Sequence, residues 1–126
     1  MSTMAPHLAV LERRHLRLTA LGVGAQAPSP ESLVDRLVAL QGQDLGGALW
    51  SIGMRTGSTE HELRQAFDDG LLVRSWALRG TLHVTTPGRL RALLAVSGER
   101  MLQQSRPRHV RLGLDDATFA LSLIHI

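Results

Sequence analysis

The sequence lacks several residue types, and each absence excludes a class of structure or chemistry. Its 126 residues include no cysteine, and its aromatic side chains are Trp50, Phe67, Trp76 and Phe119. Without cysteine there is no disulfide framework, no thiolate nucleophile and no cysteine-based zinc site. With so few aromatic residues, the core has to consist mainly of leucine, valine and alanine, and the length predicts one domain.

Long apolar stretches are also missing. No apolar run approaches the roughly 20 residues of a membrane-spanning helix, and the first residues lack the apolar segment of a secretory signal peptide. We therefore expect a cytoplasmic protein without a membrane partner. The sequence has no phosphate loop, no HExxH motif and no histidine spacing typical of a metal site, so we predict no metal and no organic cofactor.

The basic residues are all of one kind. All 14 are arginine, and the formal net charge is +3. One explanation is the codon usage of a GC-rich genome. The other is nucleic-acid recognition, because the guanidinium group matches the oxygens of a phosphate. The composition is compatible with both explanations, so it permits a nucleic-acid partner without requiring one.

Apolar periodicity and capping signals predict a mainly helical α+β domain. Ser29 followed by Pro30 is typical of a helix start, and Thr59 with Glu62 forms a capping box. The predicted helices cover residues 8–21, 29–40, 48–54, 59–69 and 87–104. A β-hairpin precedes the last helix, and helices followed by a hairpin are the order of a winged helix. We assign residues 1–105 to this winged-helix domain.

The hairpin is predicted over residues 73–85. A two-residue turn at Arg79-Gly80 would pair Leu78 with Thr81, Trp76 with His83 and Arg74 with Thr85. These pairs give one face that carries the set Arg74, Trp76, His83 and Thr85. The other face would carry Val73, Ala77, Leu82 and Val84, which suit packing on helices.

The polar face of the hairpin is a candidate DNA-binding surface. Arg74 and Arg79 can hold phosphates, Trp76 can stack on a base, and His83 can donate to a phosphate or orient a neighbouring group. In the alternative interpretation, Trp76 and His83 form a cross-strand pair that covers the core of a further domain.

A second basic cluster follows the last predicted helix. Arg106, Arg108 and Arg111 fall in an expected loop over residues 105–111, and residues 106–120 are predicted to be a basic linker and the start of the next element. The cluster is either a contact with the DNA backbone or a solvated linker.

The last six residues, 121–126, differ from what precedes them. Their sequence, Leu-Ser-Leu-Ile-His-Ile, resembles the translation of a sequencing adapter, and it interrupts a helix that has only begun. We predict that this tail is not native and that the natural protein continues. The alternative is a short protein that ends in an apolar strand.

Two carboxamides are the candidates for chemistry. Gln41 and Gln43 are separated by Gly42 and followed by Asp44. On a continuous helix the two glutamines would point about 200° apart. They can serve one ligand only if the backbone leaves the helix there, which Gly42 permits. The alternative is an ordinary polar helix terminus.

These segments together resemble one family. Leu-Val-Ala-Leu-Gln41-Gly-Gln43-Asp44, combined with Val73-Arg74-Ser-Trp76-Ala-Leu-Arg79-Gly-Thr-Leu-His83-Val, is similar to the AlkZ/YcaQ-type winged-helix DNA glycosylases over residues 8–105. The resemblance implies a longer protein with tandem winged-helix units, whose missing C-terminal domains complete a concave surface for double-stranded DNA. It also implies excision of alkylated bases, including crosslinks at purine N7, and a nucleoid-associated location.

The catalytic centre carries a Gln-x-Gln motif in one branch of this family and Gln-x-Asp in another. Gln41 and Gln43 match the first motif, which implies a catalytic role for both. The middle position is usually a larger apolar residue or alanine, so we expect Gly42 to add local freedom. Glutamine is a poor base, but it can orient water and stabilise charge. An N7-alkylated purine is cationic and leaves easily, so two amides suffice for it. Asp44 can stabilise the sugar cation if it turns into the site.

Two rival interpretations remain at this point. The chain can be a non-catalytic DNA-binding or regulatory winged-helix module. It can also be a structural fragment whose Trp76 face docks on another domain. We expect the 126 residues alone to be inactive in excision, because the domains that complete the groove are absent from them.

Overall fold

The computed structural model describes residues 6–24, 26–115 and 117–118. The elements in chain order are α1 (Pro6–Ala20), α2 (Pro30–Leu37), β1 (Leu40–Gln41), α3 (Leu45–Thr56), α4 (Glu60–Asp68), β2 (Val73–Leu78), β3 (Thr81–Thr85) and α5 (Pro87–Arg111). The three strands form one antiparallel sheet in the order β1-β3-β2. The prediction of a mainly helical α+β fold is confirmed, while the predicted tail, residues 121–126, lies outside the described residues.

The core lies between α2, α3, α4 and the sheet. Its members are aliphatic, as the scarcity of aromatic residues predicts, and burying them supplies the main driving force for folding. They are Ala27, Leu33, Val34, Ala48, Leu49, Ile52, Leu63, Ala66, Leu72 and Val84.

Local capping signals set the starts of α2 and α4. Ser29 caps α2 reciprocally with Ser32. In the predicted capping box of α4, Thr59 N donates to Glu62 Oε2 at 2.7 Å and Glu62 N donates to Thr59 Oγ1 at 3.3 Å. Gly70 follows α4 with a φ of 71°, a conformation that favours glycine. The short-range signals of the sequence therefore predict these boundaries well.

Helix α2 ends earlier than its apolar pattern predicts. It stops at Leu37 instead of Leu40, and Val38 takes a φ of 69°. Thr85 Oγ1 donates to Val38 O at 2.7 Å, and Leu40 and Gln41 pair with β3. Pairing with a distant strand thus overrides helical periodicity, and Gln41 lies on a strand rather than at a helix end.

The hairpin has a different register from the predicted one. Leu78 is opposite Thr81 as predicted, but a bulge between Trp76 and Leu78 shifts the remaining pairs by one residue. The predicted pairs Trp76–His83 and Arg74–Thr85 are wrong, because Trp76 is opposite Leu82 and Arg74 is opposite Val84. Thr85 was placed on the polar face, but it is fully buried.

The bulge accompanies the packing of Ala77 against α5, and it determines which side chains share a face of the hairpin. Ala77 is fully buried, and its carbonyl accepts a hydrogen bond from Ser97 Oγ of α5 at 3.1 Å. Residues opposite each other on paired strands share a sheet face, and neighbours along a strand alternate. Trp76 therefore shares a face with Leu82, whereas His83 lies on the other face.

Helix α5 continues through the predicted basic loop. It runs to Arg111 with Pro107 inside it, so the prediction of a loop over residues 105–111 is wrong. A proline removes one helical hydrogen bond. The residue whose carbonyl would accept that bond, Gln103, is exposed, so water can reach the carbonyl. The surrounding glutamine and arginine residues favour the helical state.

Two contacts fix α5 against the rest of the fold. Ser97 bonds to β2, as described above. At the other end, Arg89 Nε and Nη2 donate to the two carboxylate oxygens of Asp35 on α2, at 3.0 and 2.9 Å. These hydrogen bonds from Arg89 hold the pKa of the Asp35 carboxyl below its ordinary value.

Candidate active site

The segment Gln41-Gly42-Gln43 extends β1 and lies against β3. Gly42 N donates to Leu82 O at 2.9 Å, and Leu82 N donates to Gln43 Oε1 at 3.1 Å. Gln41 Oε1 accepts from Gln43 N at 3.2 Å. The carboxamide oxygen of Gln43 thus accepts the hydrogen bond that a backbone carbonyl would accept in a regular sheet. The side chains of Gln41 and Gln43 lie on the same short segment, and both residues are exposed.

These hydrogen bonds fix the orientation of both carboxamides. A backbone N–H can only donate, so the atom of Gln41 and of Gln43 that faces it has to be the oxygen. Both NH₂ groups are then left for a ligand. Each amide oxygen has a second lone pair. Gln41 and Gln43 can therefore donate hydrogen bonds to a ligand through their NH₂ groups and accept a hydrogen bond from a water molecule at the same time.

Gly42 is a close-packed position and not a source of freedom. It is buried, and a Cβ added there would lie 3.1 Å from Val84 N, 3.2 Å from His83 C and 3.2 Å from Val84 Cγ2. The expectation that this glycine adds local freedom is therefore wrong. Glycine allows the segment to lie directly on the backbone of β3.

Arg74 reaches the same segment from β2. Its Nε donates to Gly42 O at 2.7 Å and its Nη2 donates to Gln43 O at 3.0 Å. The sequence suggested Arg74 only as a phosphate contact. No pattern within the hairpin points to a bond with residues 31 and 32 positions earlier, so this contact depends on the assembled sheet.

His83 lies beside the glutamine pair. It is opposite Gln41 across β1 and β3, so the two residues share a sheet face. Its Nδ1 lies 2.9 Å from Thr81 O. Because a carbonyl only accepts, Nδ1 has to carry the proton, which leaves Nε2 as the ring atom that can meet a ligand.

Asp44 shares a hollow with Gln41. The hollow has a volume of about 450 Å³ and is lined by both residues together with Leu40, Gly47 and Arg55. Asp44 is the N-cap residue of α3, yet its side chain makes no capping hydrogen bond. Its carboxylate lies over the first turn of α3, close to Gly47, at the edge of the hollow.

The remaining candidates form a separate groove between the hairpin and α5. Trp76, Arg79 and Arg108 line it together with Met101, and its volume is about 760 Å³. Trp76 is 53% exposed. Arg106 lies on the same helix between Ser105 and Arg108, two residues that line the groove, but it lines a different hollow. The structure thus brings three of the predicted DNA-binding residues together and leaves Arg106 apart from them.

The groove and the glutamine segment are connected through one residue of β3. Leu82 pairs with Trp76 on one side and holds Gly42 and Gln43 on the other. Neighbouring strands are about 4.8 Å apart, so Trp76 and the glutamine segment are separated by two strand spacings, about 10 Å. The two side chains project from opposite faces of the sheet, because Trp76 is opposite Leu82 and Gln41 is opposite His83.

The described part of the chain has neither a metal-binding cluster nor a helix that could span a membrane. Residues 6–24, 26–115 and 117–118 contain no group of three or more histidine, aspartate or glutamate residues arranged to hold a metal ion. Over the same ranges, no helix combines the length and the apolar content that crossing a membrane requires.

Comparison with known proteins gives one match. A family model described as DNA glycosylase AlkZ-like matches residues 34–123, which is more than half of the chain. The matched range includes the glutamine segment, the hairpin and α5. No curated protein and no solved structure matches the chain.

Proposed function

Because the chain belongs to the AlkZ-like DNA glycosylase family, we propose that it excises alkylated purines from double-stranded DNA, with Gln41 and Gln43 at the reaction centre. One observation carries the proposal: two exposed carboxamides are held on one short segment, with their oxygens fixed by backbone donors. The family resemblance deduced from the two motifs is confirmed by the matching model.

We further propose that the elements from α2 to β3 form a winged helix. Helix, strand, two helices and a hairpin follow one another, and the first strand pairs with the last. In such a domain α4 is the second helix of the helix-turn-helix unit and β2–β3 is the wing. The proposal retains residues 1–105 as this domain and includes further winged-helix units beyond the present sequence.

The proposed reaction suits two amides. In an N7-alkylated purine nucleotide the base already carries a positive charge. Its bond to the sugar breaks with the electron pair moving to the base, which leaves as a neutral molecule. Water forms the new bond to the sugar carbon and releases a proton to solvent. Gln41 and Gln43 orient this water and donate to the departing base, and Asp44 stabilises the positive sugar.

DNA is proposed to lie along the groove between the hairpin and α5. Arg79 and Arg108 contact phosphates there, and Trp76 stacks on an exposed base. Arg106 adds positive charge to α5 at the neighbouring hollow. His83 lies beside Gln41 on the sheet face opposite Trp76, so the nucleotide that reacts has to leave the groove and reach that face, where His83 Nε2 can contact it.

A second function is favoured by the same hydrogen bonds. Because the carboxamide oxygens already bond to backbone amides, the two glutamines can be structural, and the chain can be a DNA-binding module without catalysis. Both functions predict DNA affinity that decreases with salt. They differ in whether a base is released.

The test uses a duplex that contains N7-methylguanine and the product of the uninterrupted gene. Gln41→Ala and Gln43→Ala are expected to lower the single-turnover rate of base release by about 100-fold or more, while DNA affinity changes by no more than about threefold. Gln65→Ala is the matched control, because Gln65 lies on α4 and bonds to Asp69. Base release that survives both substitutions would exclude the glutamines from the reaction, and absence of release in the unmodified protein would favour the binding module.

A further inference from the structure

We propose that Arg74 is a positioning residue for excision: it holds the Gln41–Gln43 segment in its reactive geometry through the carbonyls of Gly42 and Gln43. This inference rests on the proposed function, because the segment has to be the reaction centre for its position to affect a rate. It changes the role of Arg74 from contact with DNA to support of the two carboxamides.

The guanidinium group of Arg74 contacts the backbone on both sides of the Gly42–Gln43 peptide bond. One side chain donates to two consecutive carbonyls, Gly42 O at 2.7 Å and Gln43 O at 3.0 Å. Hydrogen bonds from an ionised donor are about twice as strong as neutral ones. A planar fork that meets two carbonyls also fixes their relative direction, and with it the backbone between the two glutamines.

The segment is held by two independent sets of hydrogen bonds. Strand β3 bonds to Gly42 N and to the Gln43 carboxamide. Arg74, which reaches the segment from β2, bonds to the carbonyls of Gly42 and Gln43. Without the guanidinium group the segment keeps only its bonds to β3, and the two carboxamides gain freedom. A displacement of about 1 Å at a reaction centre can lower a rate by about 100-fold.

Arg74 and Arg79 differ in what their guanidinium groups already bond to. Both residues are exposed, but Arg79 lies at the tip of the hairpin, whereas two N–H groups of Arg74 already donate within the protein. Arg79 is the residue better placed to reach a phosphate. It therefore serves as the matched control, because it is an arginine of the same hairpin that does not touch the glutamine segment.

The experiment compares Arg74→Gln, Arg74→Lys and Arg79→Gln in the complete protein. Amide hydrogen exchange of Gly42 and Leu82, followed by NMR, reports on the segment without any reaction. We expect Arg74→Gln to speed exchange at both amides by about tenfold and to lower the single-turnover excision rate by about 100-fold. Lysine keeps the positive charge but not the two-pronged guanidinium group. The exchange and excision rates of Arg74→Lys should therefore lie between those of the wild type and those of Arg74→Gln. Arg79→Gln should leave the exchange of both amides unchanged.

The salt dependence of DNA binding separates positioning from phosphate contact. If Arg74 contacts a phosphate, Arg74→Gln reduces the slope of log affinity against log salt by about 0.9. If Arg74 instead positions the glutamine segment, the salt slope of Arg74→Gln should equal that of the wild type. The slope of Arg79→Gln should be reduced by about 0.9.

The outcomes also separate the inference from the proposed function. Normal exchange at Gly42 and Leu82 in Arg74→Gln, or a wild-type excision rate in that variant, would overturn the role of Arg74 even if Gln41 and Gln43 prove essential. If excision instead survives the loss of both glutamines, the proposed function fails, and the positioning role fails with it.

Discussion

Polar side chains are used differently on α4 and around the sheet. On α4 they bond to one another within a turn: Arg64 pairs with Glu60 at 2.6 Å, and Gln65 Nε2 donates to Asp69 at 2.8 Å. Around the sheet, Arg74 and Gln43 make bonds to residues more than 30 positions away. Local bonds stabilise a helix that is already encoded nearby, whereas the long-range bonds assemble the candidate site.

The two regions also differ in charge. Glu60, Glu62, Asp68 and Asp69 are exposed on α4 and at its end, and the arginine of this helix is paired with Glu60. The groove between the hairpin and α5 is lined by Arg79 and Arg108. In the proposed winged helix α4 occupies the position of a recognition helix, but its carboxylates would repel phosphates. We therefore expect α4 to support the fold and the hairpin to contact DNA.

The largest expected effect is on stability, at α4. Leu63 is 1% exposed in the core, so Leu63→Ala removes buried methyl groups and leaves a cavity. We expect the free energy of unfolding to fall by about 2 to 5 kcal/mol, measured by urea denaturation. Leu71→Ala is the control, because Leu71 is 46% exposed and a surface change of this kind costs about 0.5 kcal/mol or less. Equal losses for the two variants would contradict a structural role for α4.

The next effect is on DNA affinity, at the hairpin. Trp76→Ala removes the aromatic surface of the groove, and we expect binding to weaken by about 1 to 3 kcal/mol if a base stacks there. Trp50→Ala is the matched control, because Trp50 is 70% exposed on α3 and lines a different hollow. Fluorescence anisotropy with a labelled duplex measures both variants. If Trp50→Ala weakens DNA binding as much as Trp76→Ala does, the groove beside the hairpin is not the specific DNA-binding site.

A smaller effect is expected where the glutamine segment crosses β3. Gly42→Ala places a Cβ 3.1 Å from Val84 N, so β3 has to shift, and we expect a loss of about 1 kcal/mol in stability. Gly98→Ala is the control, and we expect it to raise the stability rather than lower it. A Cβ on Gly98 has nothing within 4 Å, and alanine favours a helix by about 0.5 to 1 kcal/mol. Stabilisation by Gly42→Ala would mean that β3 accommodates the methyl group and that glycine is not required there.

Features encoded over short distances could be predicted from the sequence. Ser29 and Thr59 mark helix starts because their side chains bond to residues three positions later, and Gly70 marks a helix end because its own φ is positive. The core positions on α3 and α4 follow from apolar periodicity in the same way. The pairing of Leu78 with Thr81 was also predictable, since the turn at Arg79 fixes it.

Features decided by distant packing could not be predicted. The hairpin register depends on a bulge whose buried alanine, Ala77, bonds to Ser97 of α5. The end of α2 depends on the bond from Thr85 to Val38. At the candidate site, Gln41 and Gln43 were identified by resemblance, but the contact from Arg74 required the assembled sheet.

The smallest effect tests whether α4 is stabilised by its own cap. The backbone hydrogen bond from Thr59, followed by the bond from its side chain, holds the pKa of Glu62 below its ordinary value of 4.5. A lowered pKa in the folded state means that the ionised carboxylate stabilises the fold above pH 4.5, and that this stabilisation disappears as pH falls through the folded-state pKa. Glu62→Gln keeps the acceptor for Thr59 but removes the charge. Urea denaturation should show the wild type more stable than Glu62→Gln near pH 7, with the difference shrinking towards zero below pH 4.5. A difference that stays constant down to the lowest pH at which both proteins fold would show that the charge of Glu62 contributes nothing to the stability of α4.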